Sequence, residues 1–195
     1  GINSVGSLAV NQLLTALKVK RIIEINNVPN GIFAHNPEPL PENLIETIKK
    51  TVSSKADLGI VVDPDVDRLA FICEDGSFFG EEYTLVSISD YVLSKTPGNT
   101  VSNLSSSRAL KVITEKNKGK YSASAVGEVN VVKTMKDTKA IIGGEGNGGI
   151  IYPELHYGRD ALVGIALFLT QLALSKLKCS QLRKTFPDYF ISKNK

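Results

Sequence analysis

Short apolar runs that predict strands alternate with segments of helical spacing along this chain, and the pattern restarts at a Thr-Pro-Gly-Asn break near residue 97. Helices are predicted at 5–19, 41–56, 80–94, 108–118, 128–136 and 160–176, and strands at 20–25, 58–62, 69–74, 100–104, 121–126 and 139–142. Such alternation is typical of α/β proteins with parallel sheets. We therefore predict an α/β fold of two tandem domains of related topology, with mixed or parallel sheets, at 1–97 and 98–178, followed by a linker at 179–195.

Composition and charge argue against several classes of protein. A formal net charge of +3, with scattered lysines and no interleaved aromatic residues, does not suggest a nucleic-acid partner. No apolar run approaches the roughly 20 residues that span a bilayer, and the start lacks the basic region of a signal peptide. The two cysteines, Cys73 and Cys179, are far apart and lack the spacing of a zinc site. These features predict a cytoplasmic protein that binds neither nucleic acid nor membranes.

The predicted strand at 58–62 runs directly into an acidic loop, DPDVDR, in which Asp63, Asp65 and Asp67 are followed by Arg68. The strand is apolar throughout, as buried strands of parallel sheets are, and the proline stiffens the loop. Carboxylates this close repel one another unless a cation lies among them, and hard oxygen ligands suit Mg²⁺ or Ca²⁺. The ends of strands in open α/β sheets are also where ligands bind. The loop therefore predicts a divalent-metal site beside a positive side chain for an anion.

Two other interpretations fit the same loop. An Asp-rich turn can be a solvated loop without any ligand. An EF-hand would also use aspartates at these spacings, with Glu74 at its twelfth position, but Arg68 stands where the EF-hand requires glycine. The flanking segments are predicted as strands rather than helices, which disfavours the EF-hand further.

A second loop, at 143–149, contains five glycines around Glu145 and Asn147. Glycine permits positive φ angles and lets a ligand approach the backbone. The two polar side chains point the same way if the loop is extended, and a carboxylate and an amide on one side can bind neighbouring hydroxyl groups of a sugar. The alternative is a glycine hinge with a solvated glutamate. A P-loop is excluded because no Gly-Lys-Ser/Thr follows.

These two loops resemble those of a known family. DPDVDR resembles the metal loop of the α-D-phosphohexomutases, which are the phosphoglucomutase, phosphomannomutase and phosphoglucosamine mutase enzymes, and GGEGNGG resembles their sugar-binding loop. The stretches HNPEPLPENL, KADLGIVVDPD, AVGEVNVVKTM and YGRDALVGIALFL are similar to family sequence as well, so the resemblance covers essentially the whole chain. It implies a four-domain enzyme of which this chain supplies the second and third domains. The first and fourth domains are then expected as partners, with 179–195 leading towards the fourth.

The resemblance also implies a reaction. Members of this family transfer a phosphoryl group reversibly between the 1- and 6-positions of a hexose phosphate, starting from a phosphoserine on the first domain and passing through a bisphosphorylated sugar. It implies that Mg²⁺ bridges that phosphoserine and the three aspartates. It further implies that Arg68 acts near the phosphoryl group and that Glu145 binds the sugar 3- and 4-hydroxyls. Asn147 stands in place of the usual serine.

This sequence also departs from the family pattern. Gly149 stands where many members carry histidine, and His156 and Arg159 are the candidates to replace it. Because the phosphoserine loop is not among these residues, we expect the isolated chain to be inactive and to bind Mg²⁺ weakly. The alternative function is a non-catalytic module that binds sugar phosphates; a metal-dependent sugar-nucleotide transferase is disfavoured because no nucleotide-binding glycine loop lies near the start. The motifs do not distinguish glucose, mannose, glucosamine and N-acetylglucosamine phosphates, or determine the oligomeric state.

Overall fold

The structure is a computed structural model that describes residues 1–189. Helices and strands alternate through this range, and the strands form two sheets, one two-stranded and antiparallel, the other four-stranded and mixed. The predicted α/β fold with mixed sheets is thereby confirmed. Among the helices described here, none is both long and apolar enough to cross a membrane.

The first part of the chain consists of two helices, a helical turn and a hairpin. Their bounds are α1 Gly6–Ala16, a 3₁₀ turn Pro41–Asn43, α2 Ile45–Ser53, β1 Leu58–Val62 and β2 Leu69–Cys73. β1 and β2 pair antiparallel with Val62 opposite Leu69, so the acidic loop is the closed end of a hairpin. The prediction that 58–62 is a strand of the parallel kind is wrong for the described residues, because the chain turns straight back after the loop.

The segment 20–25, predicted as a strand, forms none. A cavity of about 370 Å³ is lined both by this segment and by β1. Strands pair only when their backbones lie about 5 Å apart, and among the described residues 20–25 pairs with no strand. The apolar pattern of 20–25 did not suffice to predict a strand, because a strand also needs a neighbouring strand with which to form hydrogen bonds.

The second part of the chain carries the larger sheet. Its elements are α3 Glu81–Lys95, β3 Asn99–Asn103, α4 Ala109–Lys116, β4 Tyr121–Ser124, α5 Glu128–Thr138, β5 Ala140–Gly144, β6 Ile150–Ile151, α6 Ala161–Ser175 and α7 Cys179–Arg183. The strand order is β4-β3-β5-β6, in which β3 is parallel to β4 and β5, and β6 runs antiparallel to β5. The glycine loop follows β5, at the carboxyl edge of the parallel strands, where α/β sheets bind ligands.

One hydrophobic core joins the two parts of the chain. Phe168 of α6 stacks on Phe71 of β2 with ring centroids 3.9 Å apart, and Phe79 meets Phe168 edge-on at 5.0 Å. All three side chains are fully buried, and such ring pairs add to the free energy gained from burial alone. This packing fixes β2, and with it the acidic loop, against α6.

The stretch 179–195, predicted as a linker, begins as a packed helix. Cys179 and Leu182 of α7, and Phe186 just beyond it, are buried in the same core. Their spacing is that of one helical face, which explains why this short helix docks. Residues 190–195 lie outside the described residues.

Candidate active site

The acidic loop brings its three aspartates together. One carboxylate oxygen from each of Asp63, Asp65 and Asp67 lies within 4.8 Å of the others. Asp63 is buried, Asp67 is half-buried and Asp65 is exposed, so the cluster is open on one side. The hairpin accounts for the clustering, because β1 and β2 stay paired up to Val62 and Leu69 and leave only the loop to turn the chain.

Backbone hydrogen bonds fold the loop around Asp63. Its Oδ1 accepts the N–H of Asp67 at 3.0 Å and that of Arg68 at 2.9 Å. Val66 has a φ of 61°, which is strained for a β-branched residue. The carbonyl of Val66 accepts the N–H of Ala161, the first residue of α6, at 3.0 Å. The loop is therefore held in a strained shape by the hairpin on one side and α6 on the other.

The charge of Asp63 has no full compensation within the loop. Burial raises the pKa of Asp63 to about 7; the N–H of Arg68 opposes this rise, and the nearby Asp67 and Asp65 add to it. A cation among the three carboxylates would favour the charged form. The donors are all hard oxygens, which Mg²⁺ and Ca²⁺ prefer. In its chemistry the donor set fits a divalent cation.

Arg68 lies at the side of this cluster. Its Nη1 forms an ion pair with Glu38 of the proline-rich loop, and its Nε is 3.7 Å from Asp63 Oδ2 and 3.8 Å from Asp67 Oδ1. The Nε is buried and has no hydrogen-bond partner among residues 1–189. The hydrogen bond to Glu38 is the main cause that raises the pKa of Arg68. The guanidinium is therefore a charged group fixed beside the aspartates, and its binding of an anion stays a prediction.

The glycine loop lies directly against the hairpin that carries the acidic loop. It closes where the N–H of Glu145 donates to the carbonyl of Gly149 at 3.0 Å. Gly148 has a φ of 85°, and a Cβ there would lie 2.1 Å from the carbonyl oxygen of Leu69, the first residue of β2. Only glycine tolerates both conditions. This contact brings the two loops singled out from the sequence to one place.

Glu145 is almost entirely buried, at 6% exposed, and both of its carboxylate oxygens accept hydrogen bonds. Oε1 accepts Nδ2 of Asn103 at 2.8 Å and the N–H of Gly127 at 3.2 Å, and Oε2 accepts Nη1 of Arg159 at 3.1 Å. Asn147 is half-buried, and its Oδ1 accepts a backbone N–H of the loop at 3.3 Å. A carboxylate has about four lone-pair positions, so Glu145 keeps acceptor capacity while its orientation is fixed. Sugar binding by these two residues stays a prediction.

One arginine connects the two loops. Arg159 donates from Nη1 to Glu145 at 3.1 Å, from Nε to Glu128 at 3.2 Å, and forms an ion pair with Asp67. Its aliphatic part passes over Gly149, where a Cβ would lie 2.5 Å from Cδ of the arginine. The glycine at this position therefore makes room for the arginine.

Sequence reasoning found part of this arrangement. Of the two candidates to replace the family histidine, Arg159 reaches the glycine loop, whereas Nε2 of His156 lies 3.0 Å from the carboxylate that caps α6. Sequence reasoning missed Glu38, Asn103 and Glu128. Glu38 pairs with Arg68, Glu128 pairs with Arg159, and Asn103 donates to the buried Glu145. Glu128 had a detectable signal, since it is an acidic residue at the start of a predicted helix. Glu38 lies in the family-like stretch HNPEPLPENL, but nothing there indicated its contact with Arg68, and Asn103 had no signal.

Two family models match the chain. Phosphoglucomutase/phosphomannomutase alpha/beta/alpha domain II matches residues 1–76, and alpha/beta/alpha domain III of the same family matches residues 80–190. The matched ranges meet just before α3, whereas the sequence pattern placed the break near residue 97.

Curated relatives share sequence over almost the whole chain. The chain is 35% identical to a phosphoglucomutase/phosphomannomutase of Thermococcus kodakarensis, over 99% of this chain and 42% of that protein. It is 32% identical to a phosphoglucosamine/phosphogalactosamine mutase of Sulfurisphaera tokodaii, over 99% of this chain and 43% of that protein. The chain thus spans less than half the length of the curated relatives it matches.

Solved structures agree with the sequence comparisons. A phosphoglucomutase/phosphomannomutase family protein of Burkholderia thailandensis has a TM-score of 0.86 at 26% identity, over 95% of this chain and 41% of that one. The N-acetylphosphoglucosamine mutase of Aspergillus fumigatus, in complex with GlcNAc-6P and magnesium, has a TM-score of 0.66 at 16% identity, over 96% of this chain and 48% of that one. The second likeness shows the fold alone. On the two family models and the curated relatives, this chain belongs to the phosphoglucomutase/phosphomannomutase family and comprises its domains II and III.

Proposed function

We propose that the chain is the central part of an enzyme that interconverts hexose 1-phosphates and hexose 6-phosphates through a bisphosphorylated sugar. The observation that carries this proposal is the direct link between the loops, since Arg159 contacts both Asp67 and Glu145. Phosphoryl transfer needs charge compensation at the phosphoryl group and a sugar held in fixed orientation beside it. Groups suited to both tasks lie on adjacent loops.

Mg²⁺ is the proposed cofactor, held by Asp63, Asp65 and Asp67. The support is the cluster of hard oxygen donors, one of them buried, together with the magnesium complex of the distant fungal relative. When bound, Mg²⁺ supplies positive charge that stabilises the transferring phosphoryl group. The chain itself orients the site, because two backbone N–H groups hold the carboxylate of Asp63.

The remaining site residues take complementary roles. Arg68, fixed by Glu38, is assigned to the phosphoryl group as a permanent positive charge. Glu145 and Asn147 are assigned to the neighbouring 3- and 4-hydroxyls of the sugar. Because three of about four lone-pair positions of the Glu145 carboxylate are in use, it accepts from one of these hydroxyls and Asn147 contacts the other. Arg159 holds the Glu145 carboxylate in place, so little conformational freedom is lost when the sugar binds.

The proposed phosphoryl donor is a phosphoserine in a part of the enzyme outside residues 1–195. The phosphate-binding fourth domain is proposed to lie outside these residues as well. The chain covers 42% of the Thermococcus relative, which leaves room for both. On this proposal the isolated chain has no turnover. It also binds Mg²⁺ only weakly, because one ligand of the metal is missing.

The test is turnover by the complete enzyme that contains these residues, with Mg²⁺ and a trace of hexose bisphosphate. Glucose, mannose, glucosamine and N-acetylglucosamine phosphates would each be supplied, since the proposed contacts do not distinguish substituents at carbon 2. We expect interconversion of at least one, and a loss of roughly 100-fold or more in kcat for Asp65→Ala, by analogy with removal of one group that stabilises the transition state. Asp137→Ala, which removes an exposed carboxylate on α5, is the matched control and should leave kcat unchanged.

A different outcome would change the assignment. If none of the four sugar phosphates is turned over while glucose 6-phosphate still binds, the chain is better described as part of a non-catalytic sugar-phosphate-binding protein.

A further inference from the structure

The two cysteines of this chain meet in the core although they are far apart in sequence. Cys73 is the last residue of β2 and Cys179 is the first residue of α7. Their Sγ atoms are 3.3 Å apart, and both side chains are fully buried. The catalytic assignments above use neither thiol. Since the chain has only two cysteines, any intramolecular thiol chemistry concerns this pair.

Contacts on either side hold the two sulfur atoms in register. The next residue on each element also forms a pair, because Glu74 accepts the N–H of Ser180 at 3.2 Å and its hydroxyl at 2.5 Å. At the other end of α7, Nε of Arg183 donates to the carbonyl of Phe79 at 3.0 Å. The helix is therefore held by Glu74, just after β2, at one end and by Phe79, just before α3, at the other, so the sulfur atoms stay close.

The distance between the sulfur atoms is close to what a covalent bond requires. A disulfide has an S–S distance of about 2.05 Å, so bond formation needs a movement of little more than about 1 Å. The hydrogen bond between the two thiols is the main cause that lowers the pKa of the Cys73 thiol. We assign the first attack to Cys73, because its thiolate forms more readily.

We propose that Cys73 and Cys179 are a site of reversible oxidation, at which a small disulfide such as oxidised glutathione converts the thiol pair into an intramolecular disulfide. The Cys73 thiolate attacks one sulfur of the oxidant, whose S–S bond breaks and releases the first glutathione thiolate. The Cys179 thiolate then attacks Cys73 in the mixed disulfide and releases the second. The protons of the two cysteines go to the two glutathione thiolates, so one disulfide is reduced for each one formed.

Access to the buried pair is through local opening of α7. This helix has only five residues, and short elements can open locally at a lower free energy than the core as a whole. Once formed, the bond joins β2, within the range matched by domain II, to α7, within the range matched by domain III. Oxidation would thus tie the two domains together.

The test uses the chain itself under native conditions, in glutathione buffers of varied ratio, followed by acid quench, alkylation in denaturant and mass spectrometry. We expect a monomer lighter by two hydrogen atoms and without alkylation at either cysteine. In the native chain the disulfide should withstand a ratio of reduced to oxidised glutathione at least about 30-fold higher than in guanidinium, where the chain is unfolded. Folding holds the two thiols close together, whereas the unfolded chain loses entropy when the bond closes. The oxidised chain should also melt about 5–15 °C above the reduced chain.

Cys179→Ala and Cys73→Ala are the controls, and neither should show the melting shift with oxidant. The wild-type measurement does not depend on whether these variants fold. The proposal is overturned if both thiols remain alkylatable in native wild-type chain, if glutathione adducts or disulfide-linked dimers form instead, or if native and denatured chains are oxidised at the same glutathione ratio. These results concern thiol chemistry alone and leave the proposed phosphohexomutase activity to its own test.

Discussion

Asp63 is the aspartate of the acidic loop that the fold buries, at 5% exposed. The backbone N–H groups of Asp67 and Arg68 orient it, yet burial still raises its pKa to about 7. Orientation thus comes from the chain, while full charge compensation requires a cation. This arrangement is the one expected if Asp63 is a ligand of the proposed metal, because the protein alone does not fully compensate the carboxylate.

The raised pKa of Asp63 gives a prediction for pH dependence. The folded chain holds this proton more tightly than the unfolded chain, where the pKa is 3.8, so without metal the protonation adds stability below about pH 4 that is lost as pH rises through about 7. Because Mg²⁺ requires the charged carboxylate, its affinity for the isolated chain should fall about tenfold from pH 8 to pH 6. NMR titration with Mg²⁺ measures this.

The matched control for this titration is Asp65→Asn. It removes a charge from the exposed ligand, so it should weaken Mg²⁺ binding at every pH. Because the charge of Asp65 also contributes to the raised pKa of Asp63, the pH dependence should persist but shift towards lower pH. An affinity of the wild-type chain that does not change between pH 6 and pH 8 would contradict the role given to Asp63.

At the scale of elements, α6 supports the acidic loop through its first turn. Oδ1 of Asp160 accepts the N–H groups of Leu162 at 2.7 Å and Val163 at 3.1 Å. The N–H of Ala161, the residue directly after Asp160, donates to the carbonyl of the strained Val66. Loss of the cap should therefore loosen both the helix and the loop. For Asp160→Ala we expect the free energy of unfolding to fall by about 1 kcal/mol, measured by urea denaturation.

Asp160→Asn keeps an oxygen that can cap the helix, so it should restore most of this free energy. Equal losses in the alanine and asparagine variants would show that the carboxylate acts through its charge and its contact with His156, and not as a cap.

The elements that the sequence predicts well are those whose signal is local. Helices α3 to α6 and strands β1 to β5 begin and end within a few residues of their predicted bounds, because periodicity, glycine and helix-start signals all lie within the element. The strand predicted at 20–25 failed because strand formation depends on a partner. The docking of α7 was missed because only its packing against α6 and the contact of Cys179 with Cys73 show that its apolar residues are buried.

The same distinction applies to the site as a whole. The three aspartates were predictable as a cluster because they share one loop. The partners of Arg159 come from three segments, around residues 67, 128 and 145, and no spacing in the sequence relates them. The contact between the acidic and glycine loops is likewise a result of packing between the two parts of the chain, to which the shared aromatic core contributes.

That contact gives the most direct test of how the two parts of the molecule cooperate. Gly148 has positive φ, and a Cβ there would lie 2.1 Å from the Leu69 carbonyl, a backbone atom that cannot move without shifting β2. Gly148→Ala should therefore reduce the free energy of unfolding by about 2 kcal/mol or more. Gly146→Ala is the matched control in the same loop. Its Cβ would come closest to the Ser106 hydroxyl, at 3.2 Å, which can rotate, and the nearest backbone atoms, at 3.6 and 3.7 Å, are at ordinary van der Waals distance. Urea denaturation of both variants measures the difference. If the two substitutions cost the same, the glycine loop does not depend on its contact with β2. If only Gly148→Ala is costly, the position of the glycine loop depends on the hairpin that carries the three aspartates.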